Sequence, residues 1–313
     1  MSSATVPRSP LRRLRRLRRL LSASFRQSAR TLRCPESPRL DGRCALVTGA
    51  TGGIGLAIAD GLARRGAQLI LPCRNLAKGE RLAATLRGVS GAGVELVEMD
   101  LEDLASVRSG ADRIASLAGE RPLDLLVENA GVWPQRYSET RQGFEIAFGV
   151  NVLAHFALRE RLRAAGLLAS ARVVILTGDI YVLAATECTP RQRWAGPLGG
   201  MRAYCRSKLG NLWIGFELAR RMPELTVAVV HPGVVATNLG GDFGTAGAWL
   251  RRRIMIPPEL GAETPLYCAT QPVESGSYWH NVHGRMRLAP DDPASDAEAA
   301  RRLFDTCVTL AER

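Results

Sequence analysis

The stretch Val47-Thr48-Gly49-Ala50-Thr51-Gly52-Gly53-Ile54-Gly55 decides the fold. An apolar run from Cys44 to Val47 leads into it. A helical pattern follows, with Ile54, Ala57, Ile58 and Leu62 on one face and Arg64, Arg65 and Gly66 at its end. Strand, glycine turn and helix in that order form a phosphate-binding βα unit. Gly49 lets the chain leave the strand sharply, Gly53 removes the Cβ that would block a pyrophosphate, and Gly55 lets the helix lie close to the sheet. The helix N-terminus then turns N–H groups and a partial positive charge toward the phosphates.

The same alternation continues outward from this unit. Apolar runs fit strands near 43–48, 67–73, 93–98, 123–127, 171–177 and 225–231, with a last one near 277–282, and helical periodicity fills most of the gaps. The pattern predicts an α/β fold: a single Rossmann-type domain whose doubly wound, mostly parallel sheet of about seven strands carries helices on both faces. A chain of 313 residues can bury one large core, and 46% hydrophobic with 23% charged residues is ordinary for a globular protein. No apolar run reaches the length of a membrane-spanning helix. Seven cysteines, odd in number and without a Cys-x-x-Cys pair, read as reduced thiols. Four widely spaced histidines offer no metal site, so no metal is expected.

The net charge of +12 is unevenly placed. Residues 1–40 hold eleven arginines and one acid, Glu36, so +10 lies in this arm and +2 in the remaining 273 residues. The chain divides on this basis into a basic Arg/Leu/Ser-rich extension, 1–40, and a dinucleotide-binding domain, 41–313. The near-neutral domain gives no reason to expect a nucleic acid partner. In the arm, Leu11, Leu14, Leu17, Leu20 and Leu21 fall on one half of a helical projection and most arginines on the other. It reads as a disordered basic tail, or as a surface helix making peripheral membrane contact through residues 8–30. A mitochondrial transit peptide has the same Arg- and Ser-rich, acid-poor composition. The expected location is the cytoplasm, peripheral to a membrane if the arm binds lipid, with mitochondrial targeting as the alternative.

Only two of the 42 basic residues are lysine, Lys78 and Lys208, so a position that keeps lysine is a candidate for chemistry that needs a compact ammonium. The second predicted strand ends at Cys73-Arg74, and no Asp or Glu lies between residues 61 and 79 to accept bonds from an adenosine ribose. Arg74 at the strand end and Lys78 one turn into the next helix suit a 2′-phosphate, which predicts NADP(H) in preference to NAD(H). Tyr204 and Lys208 stand four apart in Tyr204-Cys205-Arg206-Ser207-Lys208 and project from one helix face. An ammonium beside a phenol stabilises the phenolate and lowers its pKa, which makes the pair a proton shuttle for hydride transfer.

The spacing Gly-x-x-x-Gly-x-Gly, opened by Thr48, and the Tyr-x-x-x-Lys pair together resemble the short-chain dehydrogenase/reductase family over about residues 41–313. Cys73-Arg74-Asn75 with Lys78-Gly79, Ser207-Lys208-Leu209 with Asn211, Pro258-Glu259 with Gly261-Ala262, and Gly276-Ser277-Tyr278 are similar to its retinol-dehydrogenase-like branch. The resemblance implies that Thr48, Gly49, Gly53, Ile54, Gly55, Arg74, Lys78, Asp100, Asn129, Ala130, Gly131, Tyr204, Lys208, Pro232, Gly233 and Thr237 hold the cofactor. It implies catalysis by Tyr204 and Lys208, with Asn151 keeping a water in the proton relay. It places Asp100 against the adenine and Thr237, in the turn His231-Pro232-Gly233-Val234-Val235-Ala236-Thr237, against the carboxamide. The implied substrate is an apolar small molecule lined by the loops 133–138, 179–200 and 238–257, the last of these read as a lid.

Two departures accompany the resemblance. Glu128 stands where the family usually has a second Asn, and a buried carboxylate there needs a donor. Gly178 stands where the family has the Ser that holds the substrate oxygen, and strand alternation points Thr177 and Asp179 away from the side that Gly178 faces. Two functions therefore stay open: an NADP-dependent oxidoreductase interconverting an alcohol and a carbonyl, or an NADP-binding protein of the same fold with little or no turnover. A third reading makes the basic arm the working part.

Overall fold

The computed structural model describes residues 10–91, 93–119, 121–184, 188–237 and 254–312. After an N-terminal helix, α1 (Pro10–Arg30), the apolar runs become strands: β1 (Cys44–Val47), β2 (Gln68–Cys73), β3 (Val94–Glu98), β4 (Leu125–Glu128), β5 (Arg172–Leu176), β6 (Thr226–His231) and β7 (Ser277–His280). They run parallel in the order β3-β2-β1-β4-β5-β6-β7. An eighth strand, β8 (Gly284–Met286), adds an antiparallel edge. Its three residues are too few to show as an apolar run.

Strand alternation feeds two cores. Ala45, Val47, Val174, Leu176, Ala228 and Val230 pack against α2 (Gly53–Arg64), α3 (Leu76–Ser90) and α8 (Pro258–Thr270). Leu46, Val173, Ile175, Val227 and Val229 face the opposite layer, formed by α4 (Leu104–Ala118), α6 (Ala154–Ala164), α7 (Gly196–Arg221) and α9 (Ala297–Ala311). A short α5 (Ile146–Phe148) and a π-helical turn, Gly149–Leu153, precede α6. Because β1 has β2 on one side and β4 on the other, the chain order reverses between β1 and β4. The crevice beyond their carboxyl ends is where such sheets bind ligands.

The arm enters this fold sooner than its composition indicates. Ala23, Gln27 and Thr31, spaced four apart, are buried, while Arg18, Leu21 and Phe25 are exposed. The Leu32 N–H donates to the Asn281 carbonyl at 2.6 Å, and the Cys34 N–H to Glu263 Oε2 at 2.6 Å. The compositional boundary at residue 40 therefore lies well inside the packed chain. Small and amide side chains at helical spacing make an inward stripe that the surrounding arginines mask. Among the described residues no helix is long and apolar enough to cross a membrane.

Glu128 has the donor that its burial requires. Arg159 of α6, itself wholly buried, places Nη1 2.5 Å from Glu128 Oε1. Burial pushes the Glu128 carboxyl above its usual range, and Arg159 lessens that rise without cancelling it. The guanidinium also lies 5.3 Å from the Phe156 ring centroid, over its face. The pair ties the end of β4 to α6 directly behind the residues that follow, Asn129 to Gly131.

Candidate functional site

The glycine turn is held by one hydroxyl. Thr48 Oγ1 accepts from the N–H groups of Asn129 and Ala130, both at 3.0 Å. Asn129 returns its side-chain amide to the Thr48 carbonyl at 2.8 Å. With both lone pairs used, the Thr48 hydroxyl can only donate, and His155 Nε2 at 2.9 Å is a nearer acceptor than the Val127 carbonyl at 3.4 Å. His155 therefore carries its proton on Nδ1, facing the Asn151 and Val150 carbonyls of the π-helical turn. Burial, with Lys208 and Arg159 adding to it, pushes the His155 pKa down to about 3, so the ring is neutral.

Gly49 has a positive φ of 69°, and a Cβ there would lie 2.9 Å from the Ala130 Cα. At Gly55 a Cβ would fall 2.3 Å from the Gly49 carbonyl oxygen. The helix α2 therefore starts hard against the strand end. Asn75, Asp103 and Asp296 cap α3, α4 and α9 with their side chains, but α2 begins at Gly52 with no side-chain cap. Its first-turn N–H groups face a cleft of about 600 Å³. An uncapped helix start beside side-chain-free backbone fits the diphosphate of a dinucleotide.

The cleft gathers nearly all the residues expected from the sequence. Thr48, Gly49, Gly53, Ile54, Gly55, Arg74, Lys78, Asp100, Asn129, Ala130, Gly131, Tyr204, Lys208, Pro232 and Thr237 line it; Gly233 and Asn151 do not. Thr237 closes over the turn, since a Cβ on Gly53 would meet its Cγ2 at 3.0 Å. Arg74 and Lys78 lie at the β2 end, but the Arg74 guanidinium is paired with Glu102 at 2.9 Å and stands 3.9 Å from Asp100. A 2′-phosphate would compete with these acids for it. Such an exposed pair contributes under about 1 kcal/mol.

At the other end, α7 carries Tyr204 and Lys208. Lys208 Nζ lies 5.5 Å from the Tyr204 ring centroid and donates to the Leu176 carbonyl at 3.2 Å. Burial lowers the Lys208 pKa to about 8. Burial also pushes the Tyr204 phenol upward, so the lowering expected from the neighbouring ammonium does not prevail here. The spacing of the pair was legible in the sequence, whereas the dryness of the site was not. Trp133 stacks on Tyr204, with centroids 5.0 Å apart and planes within 4°. The Asn151 side chain is committed elsewhere: Oδ1 accepts from the Val132 N–H at 2.7 Å, and Nδ2 donates to Ser207 Oγ at 2.9 Å. It locks the loop after β4 to α7 one residue before Lys208.

Gly178, two residues beyond the end of β5, is extended, φ −152°. A Cβ there would make ordinary contacts, 3.5 Å from Ile180 Cγ2 and 3.8 Å from Lys208 Cγ. Thr177 lines the cleft, but its hydroxyl is committed to the Lys208 carbonyl at 2.7 Å. The Asp179 carboxylate accepts from the Tyr278 hydroxyl at 3.3 Å and faces His280 Nε2 at 3.8 Å. Neither neighbour reaches the place that a side chain on Gly178 would fill. Of the expected substrate loops, residues 185–187 and 238–253 lie outside the described residues. His155, Arg159, Ser207 and Trp133 joined the site with no spacing signal, because each acts across the fold on a residue distant in sequence.

A family model described as short chain dehydrogenase matches residues 43–177. Mouse retinol dehydrogenase 11 is 36% identical over 297 residues, covering 88% of this chain and 89% of that protein. A crystal structure of an uncharacterised protein from Mycobacterium paratuberculosis superposes with a TM-score of 0.68 at 30% identity, over 88% of this chain and 95% of that one. A short chain dehydrogenase from Burkholderia cenocepacia, solved in complex with NADP, gives 0.63 at 26% identity, over 79% and 99%. With the glycine turn, the Tyr204–Lys208 pair and relatives of this extent, the chain belongs to the short-chain dehydrogenase/reductase family of oxidoreductases, on its retinol-dehydrogenase-like branch.

Proposed function

We propose that this chain interconverts an alcohol and a carbonyl on an apolar small molecule, with NADP(H) preferred over NAD(H). The observation that carries the reading is the buried Lys208 ammonium beside Tyr204, in the cleft that the uncapped start of α2 faces. The names of the relatives, retinol dehydrogenases among them, make a retinoid-like molecule the first substrate to test. The Trp133 ring stacked on Tyr204 supports an apolar, planar substrate at that end.

A nicotinamide bound in the cleft would supply or accept the hydride. The α2 N–H groups and the glycine turn would hold its diphosphate, Arg74 and Lys78 a 2′-phosphate, Lys208 the ribose, and the Pro232–Thr237 turn the carboxamide end. In reduction Tyr204 is the proton donor: its raised pKa keeps the phenol protonated at neutral pH, and its hydroxyl gives that proton to the substrate oxygen. Lys208 steadies the phenolate left behind while it is charged, which holds below about pH 8. Asn151 acts through Val132 and Ser207 to position the loop and the helix that carry these groups.

The second reading, cofactor binding with little or no turnover, is favoured by one observation. Thr177 and Asp179 are both engaged elsewhere, so no neighbour of Gly178 supplies the hydroxyl that would hold the substrate oxygen.

A membrane role for residues 8–30 is supported by the exposed Leu21 and Phe25 on a helix carrying Arg18, Arg26 and Arg30. The full chain should sediment with phosphatidylserine vesicles, and the double variant Leu21→Glu, Phe25→Glu should not. Equal sedimentation of the two would remove this role.

Cofactor preference follows from Arg74. Calorimetry should give tighter binding of NADPH than of NADH, and Arg74→Asp should flatten the difference at a cost of about 1–3 kcal/mol. Glu102→Gln, which releases the guanidinium, should strengthen NADPH binding. Equal affinity of the wild type for both cofactors ends the assignment.

Reduction of retinal or a panel of apolar carbonyls should lose at least about a hundredfold in kcat on Tyr204→Phe. Gly178→Ser should raise the rate by about a hundredfold, since a Cβ there meets only ordinary contacts and the hydroxyl would restore a donor to the reacting oxygen. The wild-type rate should fall as pH rises through about 8, where Lys208 loses its proton. Intact turnover in Tyr204→Phe would falsify the mechanism. NADPH binding without turnover in wild type and Gly178→Ser alike would leave the second reading standing.

A further inference from the structure

Gln27 belongs by composition to the basic arm, yet it is 2% exposed and all four hydrogen-bonding positions of its amide are used. Oε1 accepts from the Val234 N–H at 2.9 Å and from Asn281 Nδ2 at 3.3 Å. Nε2 donates to the Val234 carbonyl at 3.1 Å and to the Ile254 carbonyl. The side chain thus pairs with both polar groups of one backbone residue, as a neighbouring strand would. Donors meet the oxygen and acceptors meet the nitrogen, which fixes the orientation of the amide.

The residue it grips lies in the turn that closes the cleft. Gly233 has a φ of 98°, and a Cβ there would fall 2.7 Å from Gln27 Oε1 and 2.6 Å from Asn281 Nδ2. Only a glycine lets the two amides reach the turn. Beyond Val234, the Ile256 N–H donates to the Val234 carbonyl at 3.0 Å and the Ala236 N–H to the Ile256 carbonyl at 2.9 Å. Gln27 therefore bonds both backbone segments of this small ladder, 234–236 and 254–256. The next residue, Thr237, is the one that stands over Gly53.

We propose that Gln27 is a positioning residue: from the N-terminal helix it fixes the Pro232–Thr237 turn over the nicotinamide end of the cleft. The assignment rests on reading the cleft as a cofactor site. A leucine would fill the same volume and ask for no partners. A buried amide that spends three of its four bonds on one turn and the segment paired with it specifies where that turn sits. Thr31, one residue past the helix, provides the contrast, because its hydroxyl donates to the Gln27 carbonyl at 2.6 Å, accepts only a long 3.5 Å bond from Asn281 Nδ2, and makes no bond to the turn.

The test compares the full-length wild type with Gln27→Leu, Gln27→Glu and Thr31→Val. Amide exchange at Val234, followed by NMR without cofactor, and the KM for NADPH against kcat are the readouts. Both Gln27 variants should speed Val234 exchange and raise the NADPH KM by about tenfold or more, with a smaller change in kcat, while Thr31→Val changes neither. Gln27→Glu keeps the shape and one acceptor but turns a carboxylate toward two carbonyls, so it reports on the bonds even if Gln27→Leu folds poorly. Unchanged exchange and KM in both Gln27 variants would overturn the proposal. So would Thr31→Val reproducing their losses, or faster Val234 exchange with NADPH affinity intact. If the wild type binds no NADPH, the functional reading fails by itself, and Val234 exchange still decides whether Gln27 holds the turn.

Discussion

The site depends on a single hydroxyl at the place where the strand order reverses. Thr48 Oγ1 takes the N–H groups of Asn129 and Ala130, so the ends of β1 and β4 are joined by a side chain where the parallel ladder has run out. Its own proton goes on to His155, whose other nitrogen faces the π-helical turn that carries Asn151. Asn151 in turn binds Val132 and Ser207, next to Lys208. One connected set of bonds thus runs from the glycine turn to α7 through buried polar groups. Each would be costly if left unsatisfied.

Burial sets the chemistry at the far end of this set. Lys208 is charged only below about pH 8, and Tyr204 holds its proton more firmly than a phenol in water. Both shifts come from desolvation, and both suit a site that donates a proton to a developing alkoxide. Gly178 leaves an open place beside Lys208, while the Thr177 hydroxyl and the Asp179 carboxylate on either side of it are bonded elsewhere. On the proposed function, the arrangement keeps an acid in Tyr204 and an ammonium in Lys208, with no side chain at Gly178 to add a donor to the substrate oxygen.

Much of this was legible in the sequence because the signals are local. The glycine turn, the Tyr204–Lys208 spacing and the basic end of β2 each lie within a few residues, and the strand pattern is periodic. What escaped is non-local. Glu128 looked like an unexplained carboxylate because its partner, Arg159, lies 31 residues away among forty arginines with nothing to mark it. Gln27 was averaged into a basic tail, although Ala23, Gln27 and Thr31 form a buried stripe. The phenol pKa followed from depth in the fold, which spacing does not encode. Arg74 stood where expected, but its pairing with Glu102 depends on how the loop after β3 folds back.

The most direct test of this account is a calorimetric titration of NADPH into the wild type and Thr48→Val, with circular dichroism confirming that both are folded at the measuring temperature. Valine keeps the size of the side chain and removes the acceptor shared by Asn129 and Ala130. The account predicts saturable one-site binding to the wild type and affinity lower by about tenfold or more in the variant. Equal affinity in the two proteins, or no binding to the wild type, would contradict it.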